Sequence, residues 1–159
     1  MNKMEMINYM KNMIEEDSNL DISKWESRLD FTRGDLVEAK LTDLNAIKIK
    51  GMPEPKPGEM TSVEMIVQSA SGCYATTLHL LAYNKKINLD KVTIIFNCQF
   101  AKAPFLGIRE GNSGMVEPSI DLFIESETDK KIIKDLAEIA LKRSPVLSSL
   151  KEEVELNIK

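Results

Sequence analysis

Residues 61–84, TSVEMIVQSASGCYATTLHLLAYN, decide how the rest of the chain is read. Thr61-Ser62-Val63-Glu64 has the form of a capping box, with Thr61 as N-cap and Glu64 at the third helical position. Helix then runs to about Asn84. At roughly 1.5 Å per residue such a helix measures some 35 Å, the full width of a small domain. Its sequence is only weakly amphipathic, which predicts a central element buried on most sides.

Working outward, the periodicity on either side of this helix predicts strands. Ile22 to Phe31 and Leu36 to Leu41 form a pair joined at Arg33-Gly34-Asp35, and Ala46 to Lys50 alternates apolar with basic residues as a third strand. The segment 52–60 carries Pro53, Pro55 and Pro57, so it is an extended linker or active-site loop. Beyond the helix, Val92, Ile94, Phe96, Cys98 and Phe100 alternate with polar residues, with Ile95 as the apolar exception. Gly107, Gly111 and Gly114 do not match a nucleotide-binding fingerprint and mark a hairpin loop. A further strand follows at Ile120, Leu122 and Ile124. Ile132, Ile133, Leu136, Ile139 and Ala140 then show helical spacing, Pro145 ends that helix and starts a short one, and Val154 to Ile158 closes the chain as a strand. Met4, Ile7, Met10 and Ile14 give residues 1–20 a helical extension at the front. The predicted class is α+β, mostly antiparallel sheet with one long central buried helix, in the order α-β-β-β-α-β-β-α-α-β.

The 159 residues fit one domain. A net charge of −4 and a pI near 5.2 argue against a nucleic-acid partner. No apolar run is long enough to span a membrane, and the charged N-terminus lacks a signal peptide's apolar stretch, so the chain reads as cytoplasmic. Two cysteines and one histidine give no zinc spacing, and neither a metal nor a cofactor is predicted.

Within the central helix, Ser69-Ala70-Ser71-Gly72-Cys73 is the unusual feature. Glycine in mid-helix costs about 1 kcal/mol relative to alanine. A run of small residues lets another backbone approach closely, so one reading is a helix crossing, within the chain or across a dimer, with Cys73 filling space. The other makes Cys73 a thiolate nucleophile, which needs a nearby cation. Ser69, Ala70, Thr76 and Thr77 share its helix face and none is a cation. His79 lies about 120° around the helix from Cys73 and reads as a hydrogen-bonded structural histidine.

The stretch Thr61 to Cys73 resembles the central-helix signature of the OsmC/Ohr superfamily, the osmotically inducible and organic-hydroperoxide-resistance proteins. Their pattern is Ser-Pro-x-Glu-Leu, a run of small residues, then Gly-Cys. Here Thr61-Ser62 stands where Ser-Pro is usual. The order of elements is similar too, and Arg143 to Leu150 with Val154-Glu155-Leu156 resembles the family's Cys-Pro-Val-Ser segment and last strand. The resemblance covers roughly Ser23 to Ile158.

The resemblance implies an intertwined homodimer with the two long helices at its interface. It implies a peroxide reductase acting on organic hydroperoxides, with Cys73 as the peroxidatic residue, an arginine of the N-terminal strands at Arg33 holding its thiolate, and Glu64 holding the arginine. Arg28, Lys48 or Lys50 are alternative cations, and the capping role explains Glu64 equally well. Where the family's second, resolving cysteine stands, this chain has Ser144. Serine forms no disulfide. Cys98 would resolve Cys73 only if geometry allowed; otherwise an external thiol does so, or the fold binds a small hydrophobic ligand without catalysis.

Overall fold

The computed structural model describes residues 3–32, 38–43 and 62–159. The third N-terminal strand at Ala46 to Lys50, the proline-rich segment 52–60, and Arg33 and Thr61 lie outside the described residues.

Alternation of side chains builds the sheet. Its strands are β1 (Ile22–Thr32), β2 (Glu38–Asp43), β3 (Lys91–Ala101), β4 (Met115–Glu125) and β5 (Glu155–Ile158). The spatial order is β2-β1-β3-β4-β5. All pairings are antiparallel except β4 with β5, which run parallel because a helical connection separates them. Register lines up the apolar rows. Leu29 stands opposite Ile94, which stands opposite Leu122, and Phe96 stands opposite Ile120. All five are fully buried. The other face of the sheet is charged, with ion pairs Arg28–Asp30, Lys91–Glu125 and Lys159–Asp121.

Two helices cover the apolar face: α2 (Ser62–Asn84), and α4 (Lys130–Arg143). The central helix buries Val67, Ala70, Ser71, Tyr74, Ala75, Leu78 and Ala82. It tracks β1 closely. The Ser27 and Ser71 hydroxyls meet at 2.8 Å, and the Phe31 ring meets the His79 ring edge-on with centroids 6.0 Å apart. The Ser71 hydroxyl also lies 3.1 Å from the Gln68 carbonyl. Fully buried Tyr74 donates its hydroxyl to the Ala137 carbonyl at 3.2 Å, joining α2 to α4; burial pushes the phenol pKa well up.

Three expectations need correction. The buried face of α4 is Ile133, Leu136, Ala137 and Ala140; Ile132, one position off that stripe, points to solvent. His79 is exposed and makes a ring contact with Phe31, not a structural hydrogen bond. Burial of α2 is one-sided in the single chain, because sheet and α4 lie on the same side of it.

The N-terminal helix α1 (Lys3–Glu16) buries Ile14 and half-buries Met10. A short helix that the periodicity missed, α3 (Lys102–Phe105), follows β3 directly. It is held by Asp21, which is almost wholly buried. The Ala103 amide donates to the Asp21 carboxylate at 2.5 Å, Arg109 donates to its other oxygen, and the Lys102 amide donates to the Asp21 carbonyl at 2.8 Å. In the loop beyond, Gly107 takes a φ of +68°, a conformation that costs glycine little and other residues more.

Candidate functional site

The two thiols sit in opposite environments. Cys73 is half-exposed near the middle of α2. Cys98 is 3% exposed, on the helix-facing row of β3 and opposite Trp25 of β1. Burial pushes the Cys98 thiol up to about 12, so at neutral pH it is neither a nucleophile nor easily oxidised. One thiol per chain is therefore expected to react with a disulfide reagent at pH 8 in the native protein, and two in denaturant. Peptide mapping of the labelled protein would place the native label on Cys73. Labelling of Cys98 at a similar rate would contradict the sealed environment. The same burial makes stability fall in alkali. The Cys98 pKa is raised in the fold, so its contribution is complete below an unfolded value near 9 and is lost as pH climbs towards about 12.

The helix face around Cys73 is open. Ser69 and Thr76 are exposed, and Gly72 is half-exposed with nothing within 4 Å of the place a Cβ would take. Large apolar side chains stand at both ends of this face: Met65 is 54% and Ile66 39% exposed at one end, Leu80 56% and Tyr83 76% at the other. A stripe of that kind, small in the middle and apolar at the ends, is unusual on a surface facing only water.

The other candidates are separated from Cys73. Glu64 is half-buried in the first turn of α2, nine residues from Cys73, about 13 Å along the axis. It does not reach the thiol of its own chain. Arg28 lies on the charged outer face of the sheet, between the inward-facing Ser27 and Leu29, and is engaged by Asp30 at 2.9 Å. It therefore faces away from α2. Arg33, Lys48 and Lys50 lie outside the described residues. Among the described residues no group of three or more His, Cys, Asp or Glu side chains is placed to hold a metal.

Ser144 ends α4, its amide bonded to the Ala140 carbonyl and its carbonyl accepting from the Ser148 amide at 2.9 Å. The turn that follows, Leu147–Ser149, packs on α2. The Ser144 side chain is fully buried, and among the described residues its Oγ has no hydrogen-bond partner. An unpaired buried hydroxyl costs roughly 1–3 kcal/mol. Ser144→Ala is expected to raise stability by about 1 kcal/mol in urea denaturation; a loss of similar size would mean that the hydroxyl is satisfied.

Sequence reasoning named Cys73, Arg33, Glu64 and Ser144 as candidates; it did not find the Ser27–Ser71 contact or the Asp21 anchor. Asp21 and Ala103 are 82 residues apart, and no local pattern connects them.

Among solved structures, an OsmC-like protein from Mycoplasma pneumoniae superimposes with a TM-score of 0.57 at 17% identity, over 83% of this chain and 94% of that one. An OsmC-like hydroperoxide resistance protein from Jannaschia sp. CCS1 superimposes with a TM-score of 0.56 at 13% identity, over 83% of this chain and 88% of that one. At those identities the likeness is one of fold. No curated protein matches the chain by sequence. The family described as OsmC-like protein matches residues 55–159, from before α2 to the last residue. With the helix motif, the order of elements and this match in agreement, the chain belongs to the OsmC-like protein family.

Proposed function

We propose that the protein is a cysteine-dependent reductase of organic hydroperoxides, working with Cys73 alone. The observation that carries this reading is the division of the thiols: Cys73 half-open on a small-residue helix face, Cys98 sealed in the core. Family membership and the hydroperoxide-resistance description of the Jannaschia relative support the substrate class.

In this cycle the Cys73 thiolate attacks the terminal oxygen of ROOH. The O–O bond breaks, Cys73 becomes a sulfenic acid, and RO⁻ leaves as ROH after taking a proton. An external thiol then attacks the sulfenic sulfur, expelling water and leaving a mixed disulfide. A second external thiol releases Cys73 as thiol and departs as the oxidised disulfide. Ser144 has no place in this sequence, and Cys98 is too deeply buried to serve as resolver.

The cation that Cys73 needs comes in this reading from Arg33, with Glu64 supporting it across an interface between two copies. The exposed α2 stripe suits that arrangement. If two copies pair antiparallel about Gly72 and Cys73, Met65 and Ile66 of one helix meet Tyr83 and Leu80 of the other, while the small residues cross at the centre.

The test is intact mass spectrometry of the reduced protein after cumene hydroperoxide, with and without added thiol. The expected result is a gain of one oxygen on Cys73, replaced by a mixed disulfide when thiol is present. No adduct over hours, with several thiols, would overturn the reductase reading. It would favour a non-enzymatic dimer that binds a small hydrophobic ligand, for which the replacement of a resolving cysteine by Ser144 is the motivating observation.

A further inference from the structure

We propose that a cavity at the start of α2, remote from Cys73, is a binding site for a small uncharged molecule about the size of one substituted ring. Its walls come from five separate elements: Met10 of α1, Trp25 of β1, Val63 of α2, Phe100 of β3, and Phe105 with Leu106 at α3. Val63 is ten residues from Cys73, roughly 15 Å along the helix. The cavity is therefore a second place on the molecule, and the proposal does not depend on peroxide chemistry.

Three observations set the class of ligand. The first is size. The cavity volume is about 210 Å³, and an apolar cavity of about 150 Å³ accepts one benzene ring. A ring with a short substituent fits that volume. The second is charge. The Lys102 stem lines the cavity, but its ammonium donates to the Leu20 carbonyl at 2.9 Å. Nearby Arg109 is engaged by Asp21. A carboxylate entering here would shed water against a mostly apolar wall, and the two basic groups described beside it, Lys102 and Arg109, already hold the Leu20 carbonyl and Asp21. The hydroxyl-bearing residues Ser23 and Ser113 at the lining suit a ligand with a single neutral polar group.

The third is construction. Phe105 is 77% exposed, and folding of the single chain gains little from holding it there. Yet the short helix that carries it is pinned through the buried carboxylate of Asp21, by the Ala103 amide and by Arg109. A wall fixed in advance loses little conformational freedom when a ligand arrives.

The experiment titrates the whole protein with benzyl alcohol. Ligand-observed NMR reports binding, and the emission of Trp25, the single tryptophan, reports its place. Benzoate is the charged counterpart of equal size. The expected result is saturable binding of benzyl alcohol with a Kd of about 1 mM or tighter, a shift in Trp25 emission over the same range, and much weaker binding of benzoate. Phe105→Ala removes a largely exposed wall and should weaken binding about tenfold without changing the melting temperature. Ser113→Phe, an exposed position filling the cavity, should abolish it. Cys73→Ser should bind as the parent does, which separates this site from the reductase reading. No saturable binding by NMR up to about 5 mM would overturn the proposal. So would equal affinity for benzoate, or affinity unchanged in both cavity variants.

Discussion

Cys73→Ser is expected to consume organic hydroperoxide no faster than buffer with the same reductant. Two thiols are present in the chain, and a serine hydroxyl is not oxidised under these conditions. Any residual activity would have to come from Cys98. That thiol is buried on the helix-facing row of β3, and burial pushes its ionisation far above neutral pH, so very little of it is thiolate at pH 7. The loss should therefore be essentially complete, while Cys98→Ala should retain the parent rate. Steady-state turnover with cumene hydroperoxide and a monothiol measures both. A Cys73→Ser protein that still turns over would remove Cys73 from the mechanism. Ser144→Cys makes a companion test. Position 144 is buried at the end of α4, next to the turn that packs on α2. If it occupies the resolving place, oxidised Ser144→Cys should lose two hydrogens in mass where the parent gains one oxygen.

The second large effect is expected from Gly72→Leu, read as a change in oligomeric state. Within one chain the added Cβ meets nothing within 4 Å, and Gly72 is half-exposed. The substitution also replaces mid-helix glycine with a strong helix former, a gain of about 1 kcal/mol. A protein that functions as a single chain would thus become slightly more stable. If two α2 helices cross at Ser69, Gly72 and Cys73, the leucine instead lands where two backbones approach, and overpacking there costs about 1–3 kcal/mol per site. We expect sedimentation to show a dimer for the parent and dissociation for Gly72→Leu, with a lower melting temperature. A higher melting temperature with unchanged mass in solution would reject the helix crossing. Because the test reads association, it stands apart from the activity of Cys73.

Much of this architecture was legible along the chain because it depends on short-range periodicity. Val92 to Phe100 alternates, and the structure buries Val92, Ile94, Phe96 and Cys98 as that alternation requires. The central helix, expected from Thr61 to Asn84, is observed as Ser62–Asn84. The departures occur where sequence distance hides a contact. In α4 the apolar spacing alone did not say which of Ile132 and Ile133 faces the sheet. The short helix Lys102–Phe105 was not visible because its anchor, Asp21, lies at the other end of the chain.

The candidate site divides along the same line. The sequence by itself determined that Gly72-Cys73 sits within a long helix, that serine occupies position 144, and that the chain carries an OsmC-like motif, because each of these depends on residue identity at fixed local spacing. Only the tertiary structure decided that Cys73 is half-open while Cys98 is sealed, that Arg28 faces away from α2, and that the buried Ser144 hydroxyl has no partner among the described residues. Exposure and ionisation are set by the packing of elements far apart in the chain, and that packing becomes known only when strands β1, β3 and β4 are laid against α2 and α4.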